Sequence, residues 1–167
     1  MNTELCNTPE DFIREIRHVI VYNASVLTFN QNLKGLYPPT IEYLYKIPVQ
    51  TPESFKRRFR LKKQNKNNYF TIDLSFPFFD LTFQNRAKLY DLAKDNNYVV
   101  VVASNREMMV LGNDRERLSI DVIDNIQDNS RGKDHFSIQI TGETIIHPLL
   151  RKVSEPFRVL FFANRLQ

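Results

Sequence analysis

Tyr98-Val99-Val100-Val101-Val102-Ala103 is a continuous apolar run dominated by β-branched residues. A strand that is covered on both faces needs apolar side chains at every position, so this run predicts a central β-strand. Ser104-Asn105-Arg106 predicts a turn, and Glu107 to Leu111 predicts the returning strand of a hairpin. The fold is therefore expected to be built around an antiparallel sheet that contains this segment.

Further along the chain, apolar and polar residues alternate in two more segments, with a polar loop from Asp124 to Asp134 between them. The alternating apolar residues are Leu118, Ile120 and Val122, followed by Phe136, Ile138 and Ile140. This period of two is typical of strands with one buried face. Together with the central strand, these segments predict one antiparallel meander over about residues 98–142.

Two helices are predicted outside the meander. Thr8-Pro9-Glu10-Asp11 predicts a helix start, with Thr as the cap and apolar residues at helical spacing as far as Val21. Asp80 is expected to cap a second helix over about 81–95. Short strands are expected at Val26 to Phe29 and Thr40 to Ile47.

A basic hairpin is predicted at about residues 54–76. Its first strand is Phe55-Lys56-Arg57-Arg58-Phe59-Arg60-Leu61-Lys62-Lys63 and its second is Tyr69 to Phe76, where Pro77 should end it. Alternation places Phe59 and Leu61 on one face and Arg58, Arg60 and Lys62 on the other. The candidate partner-binding residues are Lys56, Arg57, Arg58, Arg60, Lys62, Lys63 and Lys66.

Three interpretations of this basic segment remain open. It can contact an acidic surface of another protein, or it can neutralise phosphates of a nucleic acid without reading its sequence. It can also be a solvated edge, where Lys discourages pairing between sheets of different molecules. Charge reversal separates the first two, since only a nucleic-acid binder would lose salt-dependent retention.

The composition indicates one soluble domain. The chain has 167 residues, 42% hydrophobic and 25% charged, with a net charge of +4 that permits contact with nucleic acid without requiring it. We expect a single α+β domain over 1–167, an antiparallel β-meander or sandwich with one or two packed helices and a projecting basic β-hairpin. Its core is expected at about 80–145, with the N- and C-terminal arms as assembly contacts.

The sequence contains no pattern that indicates catalysis, a cofactor or a metal site. His18, His135 and His147 are isolated from one another, and no nucleophile motif or glycine-rich phosphate loop is present. The single Cys6 excludes an internal disulfide. The polar loop lacks the ligand spacing of an EF-hand. We therefore expect no enzymatic activity and no cofactor.

The chain is expected to stay in the cytoplasm where it is made. No stretch reaches the length of a membrane span, and four acidic residues within residues 1–20 argue against a signal peptide. No membrane partner is expected.

The segment from Tyr90 to Glu143 has a recognisable order of secondary-structure elements and turns. It carries a helix, a long apolar strand, a tight hairpin, the turn Val110 to Arg117 ("VLGNDRER"), a polar loop ending in "GKD" and the strand "FSIQITGE". This layout resembles that of structural proteins of tailed bacteriophages, especially small connector or tail-ring proteins of phages that infect gut Bacteroidetes, the crAss-like phages among them. The resemblance covers about a third of the chain and transfers no individual functional residue.

The resemblance implies a virion structural protein, a head–tail connector or tail-ring subunit assembled in the host cytoplasm. Its partners would be copies of itself in a ring and other phage connector or tail proteins, with DNA nearby. The alternative function is a basic nucleic-acid-binding accessory protein that uses residues 56–66.

Overall fold

The computed structural model describes residues 16–39, 42–64, 67–104, 107–125, 134–148 and 151–152. The strands are β1 (Ile16–Asn23), β2 (Tyr45–Pro48), β3 (Lys56–Gln64), β4 (Asn67–Phe78), β5 (Tyr98–Ser104), β6 (Glu107–Leu111), β7 (Ser119–Asn125), β8 (His135–Thr144) and β9 (Arg151–Lys152). The helices are α1 (Phe29–Leu33) and α2 (Phe83–Leu92). All strand pairs are antiparallel, so the predicted α+β class with antiparallel sheets is confirmed.

The first sheet has five strands in the order β2-β1-β5-β6-β9. β5 lies at its centre, as the apolar run predicted, and the six residues from Tyr98 to Ala103 are buried. β6 is the predicted hairpin partner of β5, with Val100 opposite Leu111.

The second sheet has four strands in the order β3-β4-β8-β7. Its strands alternate strictly, so that buried residues such as Leu74 and Ile140 share one face while Asp73 and Thr141 share the other. An antiparallel sheet commonly has one face on the core and one in water, and this sheet follows that pattern.

The two sheets pack face to face around one apolar core. Val19 and Val100 of the first sheet share this core with Leu74, Phe136 and Ile138 of the second, and all five are fully buried. Each such side chain contributes about 1.5–3 kcal/mol of stabilisation. The arrangement is a β-sandwich.

The outer face of the first sheet is also apolar. Ile20 and Tyr22 of β1 form a second cluster there with Val99 and Val101 of β5, and Leu27 packs onto it. β1 and β5 are therefore buried on both faces, which explains why both have nearly continuous apolar sequences.

This double burial corrects the prediction of a helix that continues to Val21. Residues from Ile16 onward form β1, while the predicted start at Thr8-Pro9-Glu10-Asp11 lies outside the described residues. The spacing of Ile16, Val19 and Ile20 also fits a helix, but a short apolar run does not distinguish a helix from a strand covered on both sides.

The predicted strand at Val26 to Phe29 is wrong, because Ala24–Val26 is a 3₁₀ turn and α1 begins at Phe29. Thr28 and Gln31 form a capping box: the Thr28 hydroxyl accepts from the Gln31 backbone N–H at 3.3 Å, and Gln31 Oε1 accepts from the Thr28 backbone N–H at 2.9 Å. This reciprocal cap starts a helix where β-branched residues favoured a strand.

Three boundaries also differ from the prediction. β2 covers only Tyr45–Pro48 of the strand expected from Thr40. Asp80 does not cap α2, because Thr82 occupies the cap position and the Asp80 carboxylate accepts from the Thr82 backbone N–H at 3.3 Å. α2 ends at Leu92, its last residue in the core.

Pro77 does not end β4, which continues to Phe78 with Pro77 opposite Ser137 of β8. The last residue of β4 that pairs with β3 is Ser75. β4 is thus locally an edge at Pro77, where the missing N–H removes no bond to a neighbouring strand.

The predicted single meander over about 98–142 is wrong. β5 and β6 belong to the first sheet, whereas β7 and β8 belong to the second, and the chain crosses between them at Gly112 to Arg117. The core is also wider than residues 80–145, since it includes Val19 and Leu74.

A buried hydrogen-bond network holds this crossover. The Asn113 side chain is fully buried, and its Oδ1 accepts from the backbone N–H groups of Arg115 and Glu116, each at 3.0 Å. The Glu116 carboxylate accepts from Asn113 Nδ2 at 2.9 Å, from Thr144 Oγ1 at 2.6 Å and from the Ile145 backbone N–H at 2.8 Å. The crossover is therefore tied to the end of β8.

Candidate interaction surface

The basic segment forms β3, which pairs with β4 over nine residue pairs and is an edge of the second sheet among the described strands. Phe55 and Phe59 anchor it to the core, and the Phe55 ring stacks on Phe76 with centroids 5.6 Å apart. The strands of the predicted hairpin therefore pair. Whether the hairpin projects from the domain stays a prediction.

Four cations form a column on the outer face of β3. Lys56, Arg58, Arg60 and Lys62 are all exposed, and they stand opposite Ser75, Asp73, Thr71 and Tyr69 of β4. Successive residues on one face of a strand are roughly 6.8 Å apart, so the column spans about 20 Å. This regular row of positive charge fits an extended anionic partner.

The remaining β3 residues share the core-facing side, near the open edge. The Arg57 guanidinium lies 5.9 Å from the centroid of the Phe59 ring, and Leu61 is 53% exposed. Arg57 and Lys63 are exposed as well. An incoming strand would therefore meet two cations and two apolar side chains on this side of β3.

A shallow open cavity of about 230 Å³ lies beside the column. It is lined by Lys56, Arg58, Asp73, Ser75 and Gln139. Gln139 Nε2 donates to Asp73 Oδ1 at 3.3 Å. This bond holds the Asp73 carboxylate on the outer face of β4, between β8 and the two cations Lys56 and Arg58 of β3. The cavity continues the polar outer face and is built for hydrated, charged groups.

The structure brings together six of the seven predicted partner-binding residues, all on β3 and all exposed. Lys66 lies outside the described residues. The alternation with Phe59 and Leu61 predicts the outer position of Arg58, Arg60 and Lys62, because an edge strand with one solvated face keeps a period of two. Arg57 and Lys63 lie on the other side, with Phe59 and Leu61.

Sequence reasoning missed the opposite edge of the same sheet. β7 carries the exposed Asp121 and Asp124, and it pairs with β8 alone among the described strands. The predicted polar loop begins at Asp124, but Asp124 lies within β7, which continues to Asn125. No local pattern in the sequence predicts that β3 and β7 form the two opposite edges of the same sheet.

The other residues considered for chemistry are dispersed. His18 lies in β1, and His135 and His147 pack against Phe79 and Phe70. Within the described ranges, no three His, Cys, Asp or Glu residues are grouped as metal ligands. Cys6 and most of the polar loop, residues 126–133, lie outside the described part.

Neither α1 nor α2 has the length and apolarity that crossing a bilayer requires, and the same holds for every helix in the described part of the chain. No protein-family model, curated protein or solved structure matches this chain.

Proposed function

We propose that this chain is a non-enzymatic virion structural protein, a head–tail connector or tail-ring subunit that binds neighbouring copies and other virion proteins through β3. The observation that carries the proposal is an edge strand with six exposed cations. The layout resemblance of residues 90–143 supports its placement in a phage particle.

An edge strand offers a partner two kinds of contact. Its free peptide groups can pair with another strand, and its side chains then select which strand is accepted. A single exposed ion pair contributes only about 0–1 kcal/mol. The six cations on β3 therefore act mainly by selecting an acidic partner and excluding basic ones. Hydrogen bonds between the backbone N–H and C=O groups of the two strands supply most of the affinity.

The experiment reverses charge on three arginines. Replacing Arg57, Arg58 and Arg60 together with Glu should block incorporation of a tagged chain into particles and abolish self-association in sedimentation velocity. Circular dichroism should show an unchanged fold, because all three side chains are exposed. Replacement of Lys34, Lys88 and Lys94 with Glu changes the net charge equally and should leave assembly intact, since these exposed residues lie outside β3. Normal incorporation of the arginine variant would refute the proposal.

The outer column also supports a second candidate, a nucleic-acid-binding accessory protein that uses residues 56–66. Four cations in register, with Tyr69 opposite Lys62, resemble a track for a phosphate backbone with one aromatic ring beside it. Such binding would weaken steeply with salt. If the arginine variant assembles normally but loses retention on DNA at low salt, this second function replaces the first.

A further inference from the structure

Among the strands that the structure describes, β3 and β7 are the two edges of one four-stranded sheet, and their charges are opposite. Over Lys56–Lys63 β3 carries six cations and no acid, while β7 carries Asp121 and Asp124 and no cation. Each edge also exposes one large apolar residue, but on opposite faces of the sheet: Leu61, on the core side of β3, is 53% exposed, and Ile123, on the outer face of β7, is 50% exposed. These edges are complementary to each other and unsuited to pairing with themselves.

The sheet topology allows the two edges to meet between molecules. The sheet has an even number of strands, all antiparallel, so β3 and β7 run in opposite directions. If the β3 of one copy lies beside the β7 of the next, the new pair is antiparallel, and both copies keep their polar faces on the same side. Along a strand, the face of the side chain and the direction of the backbone N–H and C=O groups alternate with the same period of two. An arrangement that keeps the polar faces on one side therefore also places the outward-pointing N–H and C=O groups of β3 opposite those of β7.

We propose that β3 of one copy pairs with β7 of the next, which joins the second sheets of successive copies into one continuous sheet. This inference rests on the proposed function and identifies the acidic surface that β3 binds. The contact is heterologous, so repetition gives a ring where the rotation closes and a filament where it does not.

The side chains select one register. With Arg60 opposite Asp121, Arg57 falls opposite Asp124 on the core side. The pairs between them are then apolar on that side, with Phe59 opposite Val122 and Leu61 opposite Ile120. A shift by two residues, with Arg58 opposite Asp121, places Arg57 against Val122 and Phe55 against Asp124. A shift the other way places Phe59 against Asp124.

In the selected register, both aspartates meet arginines and the exposed face of Leu61 is covered. Asp124 is exposed, and its bond from the Tyr90 hydroxyl is long, at 3.5 Å, so its carboxylate can accept from an arginine. Arg and carboxylate pair with two parallel hydrogen bonds, which favours this register over its neighbours. Cross-strand pairs of opposite charge and of apolar residues both stabilise a sheet.

The first test is disulfide trapping in a Cys6→Ser background. Lys62 falls opposite Ser119, and directly opposed residues have Cβ atoms about 4.5–5.5 Å apart, close enough for a disulfide after small adjustments. A mixture of the single variants Lys62→Cys and Ser119→Cys should give a cross-linked dimer, and the double variant should give a ladder. Lys62→Cys with Ile123→Cys is out of register by four residues, roughly 13 Å, and should give no ladder.

The second test is a charge exchange read by sedimentation velocity. Asp121→Arg with Asp124→Arg should reduce the wild-type assembly to the 19.8 kDa monomer. Adding Arg57→Asp and Arg60→Asp to the same chain should restore assembly, because the pairs are then re-formed with the charges exchanged. Glu53→Arg with Asp95→Arg, two exposed acids outside β7, is the matched control and should assemble like the wild type.

The outcomes separate this inference from the proposed function. If the triple arginine variant fails to assemble but the β7 variants assemble normally and no ladder forms, β3 binds another acidic surface and the inference is overturned alone. If the triple arginine variant assembles normally, both fail. Cross-linking of Lys62→Cys to itself would mean that two β3 strands meet, and a wild-type chain that stays monomeric at every concentration would also overturn the inference.

Discussion

Removal of the Glu116 side chain tests whether the crossover network fixes the two sheets to each other. Glu116→Ala removes the acceptor of three hydrogen bonds, from Asn113 Nδ2, Thr144 Oγ1 and the Ile145 backbone N–H. The three donors differ in what they can do afterwards. Ile145 is 67% exposed, so water can replace its lost partner at little cost.

The two buried donors, Asn113 Nδ2 and Thr144 Oγ1, determine how far the free energy of unfolding falls. Asn113 is fully buried and its Nδ2 has no other described acceptor, so its desolvation costs about 1–3 kcal/mol. The Thr144 hydroxyl can turn to the Ile146 carbonyl oxygen, 3.3 Å away, and loses about 1 kcal/mol. The free energy of unfolding should therefore fall by about 2–4 kcal/mol, and Tm by about 5–15 °C for a chain of this size.

Thermal and urea unfolding followed by circular dichroism measure this loss. Glu143→Ala is the matched control, because Glu143 is an exposed acid on the same sheet and its loss should change stability by less than about 0.5 kcal/mol. A Glu116→Ala protein that melts within about 2 °C of the wild type would show that the network does not hold the crossover.

Three further substitutions follow from the fold. Val100→Asp places an unpaired charge in the fully buried centre of β5 and should give insoluble or unfolded protein, so a soluble variant with a cooperative melt would mean that the core is misplaced. Gly112 has φ +85° and an added Cβ would lie 3.0 Å from a carbonyl oxygen, so Gly112→Ala should lower stability by about 1–3 kcal/mol in the same melts. Burial, then the charges of Lys46 and Arg17, lower the pKa of His18 from 6.5, so folding resists its protonation. Its stabilising contribution is complete above pH 6.5 and is lost as pH falls below that value. His18→Gln should therefore flatten the decline in stability as the pH falls below 6.5, and an unchanged slope would refute this assignment.

Local patterns were sufficient to find the strands that alternate. β3 with β4 and β5 with β6 are adjacent in sequence, and each pair was expected as a hairpin. The outer position of Arg58, Arg60 and Lys62 follows from the same alternation, whereas Arg57 and Lys63 lie on the side of Phe59 and Leu61. The two hairpins and the alternation within β3 depend on residues that are close together in the sequence, so the sequence pattern is sufficient to predict them.

The sequence alone did not determine what covers each strand. The apolar residues from Ile16 to Val21 also fit the spacing of a helix, and only the second sheet and the Leu27 cluster show that both faces of β1 are buried. Likewise, Val26 to Phe29 has strand-forming residues, but the capping box of Thr28 and Gln31 starts a helix instead.

The sequence by itself determined the class of the fold, the central strand β5 and the basic character of β3. Only the tertiary structure decided that β5 and β6 lie in one sheet while β7 and β8 lie in the other, with Glu116 holding the crossover between them. It also decided that β3 and β7, which are more than fifty residues apart in sequence, form the two opposite edges of one sheet. The physical reason is that alternation fixes the face of a side chain, whereas the neighbour of a strand depends on burial summed over the whole chain.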